Sequence, residues 1–200
     1  MESGEVYTQG QIRYVDTNGD GVISELDRVI IGDPNPDFTF GLHTSLRYRN
    51  LNMKMTFTGV AGNEIYNVNK IFDTYVNGIT RNLSRRAVAD AWSETNTDTW
   101  YPSITGMTAR DIQWISDRYV EDGSYLRLSD LTISYNVPLK RAKLVKGLTV
   151  SITGSNLAVW TRYSGWDPDV NSFATARLTG ADMGSYPTAR SFRMDVKLNF

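Results

Sequence analysis

Apolar and polar residues alternate with period two over five stretches of the chain, which is the spacing of a β-strand with one apolar face. In Ser191 to Phe200, residues Phe192, Met194, Val196, Leu198 and Phe200 share one face, and Ser191, Arg193, Asp195, Lys197 and Asn199 share the other. Asp37 to Arg49 sets Phe38, Phe40, Leu42, Leu46 and Tyr48 against Thr39, His43, Ser45, Arg47 and Arg49. Leu51 to Gly59 sets Leu51, Met53, Met55 and Phe57 against Asn52, Lys54, Thr56 and Thr58, and with Asn50 between the two runs they read as a tight hairpin. Tyr125 to Val137 carries Leu126 and Leu128, then Leu131, Ile133, Tyr135 and Val137; the slip of phase at Ser129-Asp130 predicts a bulge. Leu148 to Ser155 sets Leu148, Val150 and Ile152 against Thr149, Ser151 and Thr153. A single strand of this kind fits a lipid-facing wall with a wet lumen behind it, and equally the edge of a soluble sandwich.

The connections favour the wall. Short ones fall at Asn50 and at Pro138 to Gly147, and long ones from about Gly62 to Gly123 and from Thr161 to Arg190. Outer-membrane barrels alternate short periplasmic turns with long extracellular loops, whereas a sandwich turns often at both ends. In the first long loop Ile71, Tyr75, Ile79 and Leu83 recur every fourth residue, and Arg85 to Trp92 continues the helical spacing. Near the start, Gln11 to Val15 reads as a strand. The fold expected is mainly β: about five long antiparallel strands of a transmembrane outer-membrane β-barrel, with extracellular loops that contain short helices.

Composition limits the alternatives. The 200 residues carry 21 Lys+Arg and 22 Asp+Glu, a net charge of -1, so the chain has no general attraction to nucleic acid. No cysteine is present, which removes disulfides and cysteine metal clusters. Mean hydropathy is -0.36 and no apolar run is long enough for a membrane-spanning helix, a test that alternating barrel strands do not register on. Met1-Glu2-Ser3-Gly4-Glu5 lacks a basic and an apolar region, so it is not a signal peptide, and the chain is expected to be mature or a fragment.

One motif has metal-ligand spacing. In Asp16 to Asp27, side-chain oxygens stand at positions one, three and five (Asp16, Asn18, Asp20), and Gly21 permits the sharp turn. Val22 offers a carbonyl, Ser24 a hydroxyl and Asp27 a carboxylate at position twelve. Calcium takes hard oxygens from a loop that folds around it, so a structural calcium clip is expected; a metal-free Gly/Asn/Asp turn is the alternative. Asp at position twelve in place of Glu shortens the reach for bidentate binding.

Catalytic sets are lacking. The lone histidine, His43, lies mid-strand, and Glu121-Asp122 reads as a solvated turn, so no enzyme is expected. The loop aromatics Trp92, Trp100, Tyr101, Trp114 and Trp166 could stack on sugar rings; loop packing is the alternative, and an interfacial belt for Trp160 and Tyr163. Trp100, Tyr101 and Trp166 are the substrate-contact candidates.

Several segments run collinearly with one family. They are Gly10 to Asp16 leading into the Asp16 to Asp27 loop, Arg28 to Gly41 (RVIIGDPNPDFTFG), Gly59 to Asn67 (GVAGNEIYN), Ser116 to Leu128 (SDRYVEDGSYLRL), Gly154 to Leu157 (GSNL), Tyr163 to Val170 (YSGWDPDV) and Gly184 to Phe200. In order and spacing the chain resembles the C-terminal part of the SusC/RagA-like TonB-dependent outer-membrane transporters, across nearly all of residues 1–200. The resemblance implies a plugged barrel of about 22 strands that imports glycans or peptides. It implies a SusD-like surface lipoprotein as cap and a TonB complex engaged through an N-terminal part this chain lacks. It also implies a barrel-assembly machinery that reads the terminal Phe200. The competing reading is a soluble, calcium-stabilised β module that binds carbohydrate. The two differ in what covers the apolar strand faces: a second sheet in the module, lipid in the barrel.

Overall fold

The structure is a computed structural model that describes residues 9–74, 82–105, 115–139, 144–170 and 179–200. Five long strands make one antiparallel sheet: β1 (Phe38–Tyr48), β2 (Leu51–Ala61), β5 (Tyr125–Val137), β6 (Gly147–Thr161) and β8 (Ser191–Asn199), in the order β1-β2-β5-β6-β8. A second sheet has three short strands, β3 (Glu64–Asn67), β4 (Val120–Asp122) and β7 (Ala181–Asp182), in the order β4-β3-β7. None of these three is visible as alternation in the sequence, because two to four residues are too few to show a period.

Register makes the large sheet two-faced from edge to edge. Leu46 pairs with Met53, Met53 with Ile133, Ile133 with Ile152, and Ile152 with Met194. One row nearer the short turns, Tyr48, Leu51, Tyr135, Val150 and Val196 follow one another in the same way. The opposite face is polar and bonds to itself across the strands. His43 Nδ1 lies 3.1 Å from Thr56 Oγ1, the hydroxyls of Thr132 and Thr153 are 3.0 Å apart, and Thr149 donates to Asn136 at 2.8 Å. Along β8 itself, Arg193 donates to Asp195 at 2.9 Å. Because side chains alternate with period two, a slip of one residue would exchange the faces, so this pattern pins the register.

Among the described residues nothing covers the apolar face. Phe192 is 72% exposed, Met194 67% and Leu46 55%. The soluble module required these faces to pack on a second sheet; instead they form a single continuous surface. A soluble monomer does not leave a patch of this extent to water, whereas lipid covers it at no cost.

Two local devices keep the faces in phase. The β1–β2 turn is Arg49-Asn50, with Tyr48 paired to Leu51 and Arg49 at φ 53. The predicted bulge is present: Phe57 pairs with Leu128 and Thr56 with Asp130, so Ser129 is extra, and Thr58 and Ser129 join hydroxyls at 2.7 Å. Across the next ladder Leu128 pairs with Ala158 and Asp130 with Ser155, so β6 gains one residue more. There Asn156 takes φ 54, a conformation Asn tolerates well, and Leu157 folds over Gly154, where a Cβ would come within 2.7 Å of it. The GSNL motif is therefore a bulge. It also hides the rest of β6: the strand runs to Thr161, and Trp160 belongs to it rather than following it.

All five long strands fall where the alternation predicts them. In the large sheet the short connections lie at one end and the long segments at the other. Part of the predicted Pro138 to Gly147 turn lies outside the described residues. By contacts the chain divides into two units. The unit just described comprises Asp33–Ile65, Glu121–Ala181 and Ser185–Phe200.

The other unit comprises Met1–Gly32, Tyr66–Val120 and Asp182–Gly184. It contains helix α1 (Val68–Thr74), which buries Ile71, and helix α2 (Arg85–Ala89), which buries Ala87 and is capped by Ser84 accepting from Ala87 N–H. Helix is present in both places where the spacing predicts it, α2 supplying the further turn within Arg85 to Trp92. Tyr75 and Ile79 lie outside the described residues, Leu83 is outside the helix, and α2 stops before Trp92. Gln11 to Val15 forms no strand.

Candidate functional site

At the long-segment end of the sheet, the loop after β6 is held by a buried charge pair. Arg127 Nη2 of β5 donates to Asp167 Oδ1 at 2.5 Å, and both side chains are 6% exposed. The same Asp167 oxygen accepts from Asp169 N–H at 3.0 Å, and Oδ2 accepts from Thr188 N–H at 3.0 Å. One carboxylate therefore ties together β5, its own loop and the segment that leads into β8. Burial pushes the Asp167 carboxyl up; the Arg127 guanidinium and the amides of Asp169 and Thr188 outweigh it, so the pKa is lowered. A second anchor lies nearby in the chain: Glu121 accepts from Ser164 N–H at 2.8 Å and from its hydroxyl at 2.9 Å. Glu121 and Asp122 are thus not a solvated turn but part of β4, and Asp122 accepts from Ser124 N–H at 2.9 Å.

The YSGWDPDV motif makes sense around this clasp. Tyr163 is 5% exposed, and a Cβ on Gly165 would lie 2.3 Å from its ring, so only glycine fits. Pro168 is buried as well. Between these fixed points Trp166 stands 81% exposed. A large apolar side chain on a loop so firmly anchored is pre-organised for contact, because little conformational entropy is left to lose. Neither Arg127 nor Asp167 was singled out from the sequence. Their separation of 40 residues leaves no local pattern; the acid inside an aromatic, Gly/Pro-rich loop was the available signal.

Trp100 and Tyr101 belong to the other unit, where the structure brings them together edge to face with ring centroids 5.2 Å apart. Tyr119 meets Trp100 edge-on at 6.1 Å, and the Arg118 guanidinium lies over the indole at 4.0 Å. That ring face is occupied, and Tyr119 itself is 1% exposed. Trp100 is thus the hub of a packed cluster, while Trp166 is open. Trp114 lies outside the described residues. His43 is an exposed wall residue.

The Asp16 to Asp27 loop closes on its own backbone. Asp16 accepts from the amides of Gly19 at 2.7 Å and Gly21 at 2.8 Å, Asn18 from Asp20, and Asp20 from Val22. Asp27 reaches back to Thr17 N–H at 2.8 Å and to Ser24 N–H at 2.7 Å. Those amides, Ser24's first, lower the Asp27 pKa. Ser24 caps a 3-10 turn, Glu25–Asp27. Among the described residues no three acidic or histidine side chains are placed to share a metal ion. An ionised carboxylate has about four lone-pair sites, so these amide bonds leave acceptor capacity on Asp16 and Asp20. Phe200 follows β8 and is 75% exposed.

A continuous antiparallel sheet, greasy outside and hydrogen-bonded on its polar side, with loops gathered at one end, is a section of an outer-membrane β-barrel wall. No protein-family model matches the chain. It is 37% identical to a TonB-dependent receptor of Formosa agariphila over 99% of its length and 34% identical to a second one over 96%; each match covers 20% of the relative. It is 26% identical to the TonB-dependent receptor SusC of Bacteroides thetaiotaomicron, over 94% of this chain and 17% of that one. Its fold matches the RagAB peptide importer in the open-open state with a TM-score of 0.78, covering 99% of this chain and 21% of that one at 22% identity. Over nearly its whole length the chain is similar to TonB-dependent receptors of the outer membrane, SusC among them, and it spans about a fifth of the length of the curated relatives it matches.

Proposed function

We propose that the chain is wall and loop of an importer that takes up glycans or peptides across the outer membrane, powered by a TonB complex. The observation that carries this is the uncovered apolar face, running through five strands without a break. In this reading residues 1–200 are the C-terminal part of the barrel, and the remaining strands pair with the edges of β1 and β8, since lipid tolerates no open edge. The plug and the TonB-contacting segment belong to the length that the relatives have beyond this chain. A SusD-like lipoprotein covers the outer face, and the barrel-assembly machinery reads Phe200. The chain has no enzymatic role. Substrate is met by the loops, through Trp166 before Trp100 and Tyr101, because Trp166 is the most exposed of the three. The Asp16 to Asp27 loop is proposed as a weak structural calcium clip. Its spacing supports that, while Asp27 in place of Glu at position twelve lowers the affinity expected.

The test is genetic. Deleting the full-length receptor gene is expected to abolish growth on the cognate polymer, and a protonophore is expected to stop uptake while leaving surface binding intact. Unchanged growth of the deletion strain on every polymer that the parent uses would refute the importer.

A further inference from the structure

Charge is unevenly divided between the two ends of the large sheet. From Phe38 to Asn63 and from Leu131 to Trp166 the sequence holds no Asp or Glu, although the whole chain carries 22 acids against 21 Lys+Arg. Those stretches contain the short connections. Arg49 stands in the β1–β2 turn, and Lys146 comes immediately before β6. Both are exposed, and among the described residues neither forms an ion pair. Residues 140–143, outside the described residues, add Lys140, Arg141 and Lys143 and no acid, so they only raise the positive charge of this end. Asp195, the acid of β8, is bonded to Arg193 of the same strand.

The cations stand at the border of the apolar face. The Arg49 guanidinium lies over the Tyr48 ring, 5.3 Å from its centroid. Tyr48 begins the apolar row that continues through Leu51, Tyr135, Val150 and Val196. The guanidinium is therefore on the apolar side of the wall. Leu144, two residues before Lys146, is 83% exposed. An apolar side chain next to a cation suits the boundary between acyl chains and headgroups. The turns are tied to their neighbours: Asn136 N–H donates to the Asn50 carbonyl at 2.9 Å, and Lys146 N–H to the Asn199 carbonyl at 2.7 Å. Along the sheet Arg49 and Lys146 are two to three strands apart, about 10–15 Å. Arg49 has φ 53, which costs backbone strain that glycine would avoid, so this turn holds a guanidinium where it is not the easiest residue.

Short barrel turns face the periplasm, so this border meets the headgroups of the periplasmic leaflet. A guanidinium offers a planar fork that matches phosphate oxygens, and a lysine adds a point charge. A zwitterionic headgroup answers part of that charge with its own cation, whereas an anionic headgroup does not. We propose that the short-turn border is a docking surface for anionic phospholipid of the periplasmic leaflet, with headgroup phosphates held by Arg49 and Lys146. The charge of the surface and its continuity with the lipid-facing wall select that occupant. The proposal goes beyond the importer reading and holds whatever the barrel takes up.

The test is native mass spectrometry of the full-length receptor, released from the neutral detergent tetraethylene glycol monooctyl ether. Dioleoylphosphatidylglycerol or dioleoylphosphatidylcholine is titrated in. Wild type is expected to bind phosphatidylglycerol more tightly. One cation near an anionic surface is worth about fivefold, so Arg49→Gln and Lys146→Gln are each expected to weaken a phosphatidylglycerol adduct about fivefold and the double variant about 25-fold. Phosphatidylcholine adducts are expected to stay unchanged. Lys54→Gln removes the same charge from the polar face and is expected to change neither lipid. Heat-modifiable migration on gels checks folding, and Arg49→Gly, which relieves the left-handed residue, is expected to lose the lipid as Arg49→Gln does. Equal affinity for the two lipids, an unchanged adduct series in the double variant, the same loss in Lys54→Gln, or displacement of phosphatidylglycerol by equimolar inorganic phosphate would each overturn the proposal. No arm reads transport, so failure here leaves the importer reading to its own genetic test.

Discussion

Asp167→Asn is the most informative single change. The variant keeps the shape of the side chain and one oxygen that can still accept an amide, but leaves the Arg127 guanidinium 6% exposed beside a neutral group. Breaking a buried ion pair by neutralising one partner costs about 3–5 kcal/mol, mostly as the uncompensated charge. With one acceptor retained the lower end applies, and about 3 kcal/mol is roughly a hundredfold in a local opening equilibrium. The assay is hydrogen exchange on the full-length receptor in detergent. The peptides containing the amides of Asp169 and Thr188, both bonded to Asp167, are expected to lose roughly a hundredfold of protection, while the central amides of β6 keep theirs. Adding Arg127→Met removes the stranded charge, so the double variant is expected to recover part of the loss. Unchanged protection in Asp167→Asn, or additive losses in the double variant, would refute the clasp. The pH dependence has a definite sign. The folded pKa of Asp167 is depressed, so its contribution is fully present above the ordinary carboxylate range and is lost only as pH falls through the folded value. Protection at Thr188 is therefore expected to be flat from pH 7 to 5 and to fall only below about pH 4.

Other perturbations read other parts of the structure. Ile152→Lys, on the apolar face, is expected to cost about 2–4 kcal/mol in a bilayer, whereas Thr153→Lys next to it on the polar face costs about nothing; urea unfolding from liposomes separates them, and equal costs would mean that the face does not meet lipid. Arg49→Gly relieves a left-handed residue at the hairpin and gives up a cation–π contact at 5.3 Å, so a net gain of about 0.5–1 kcal/mol is expected in the same assay. Calorimetry on the chelator-stripped receptor is expected to detect weak calcium binding that Asp16→Ala and Asp20→Ala abolish; identical heats in wild type and variants would remove the calcium clip.

The sequence alone determined a good deal. Period-two alternation located all five long strands and the Ser129 bulge, because a strand with one lipid-facing and one wet face must alternate. Connection lengths indicated which end carries the loops. The signal failed where side-chain period stops being informative. Asn156 breaks the alternation by a left-handed turn, so β6 was cut short. β3, β4 and β7 are shorter than a period can reveal. Tertiary structure decided what the faces do and which residues meet. Only the register showed that the apolar rows join into one uncovered surface, which separates a barrel wall from a sandwich. Only the fold set Arg127 on Asp167, laid Arg118 over Trp100 and left Trp166 outside. Contacts of that kind are formed by residues distant in sequence, and no local pattern of residue types records them.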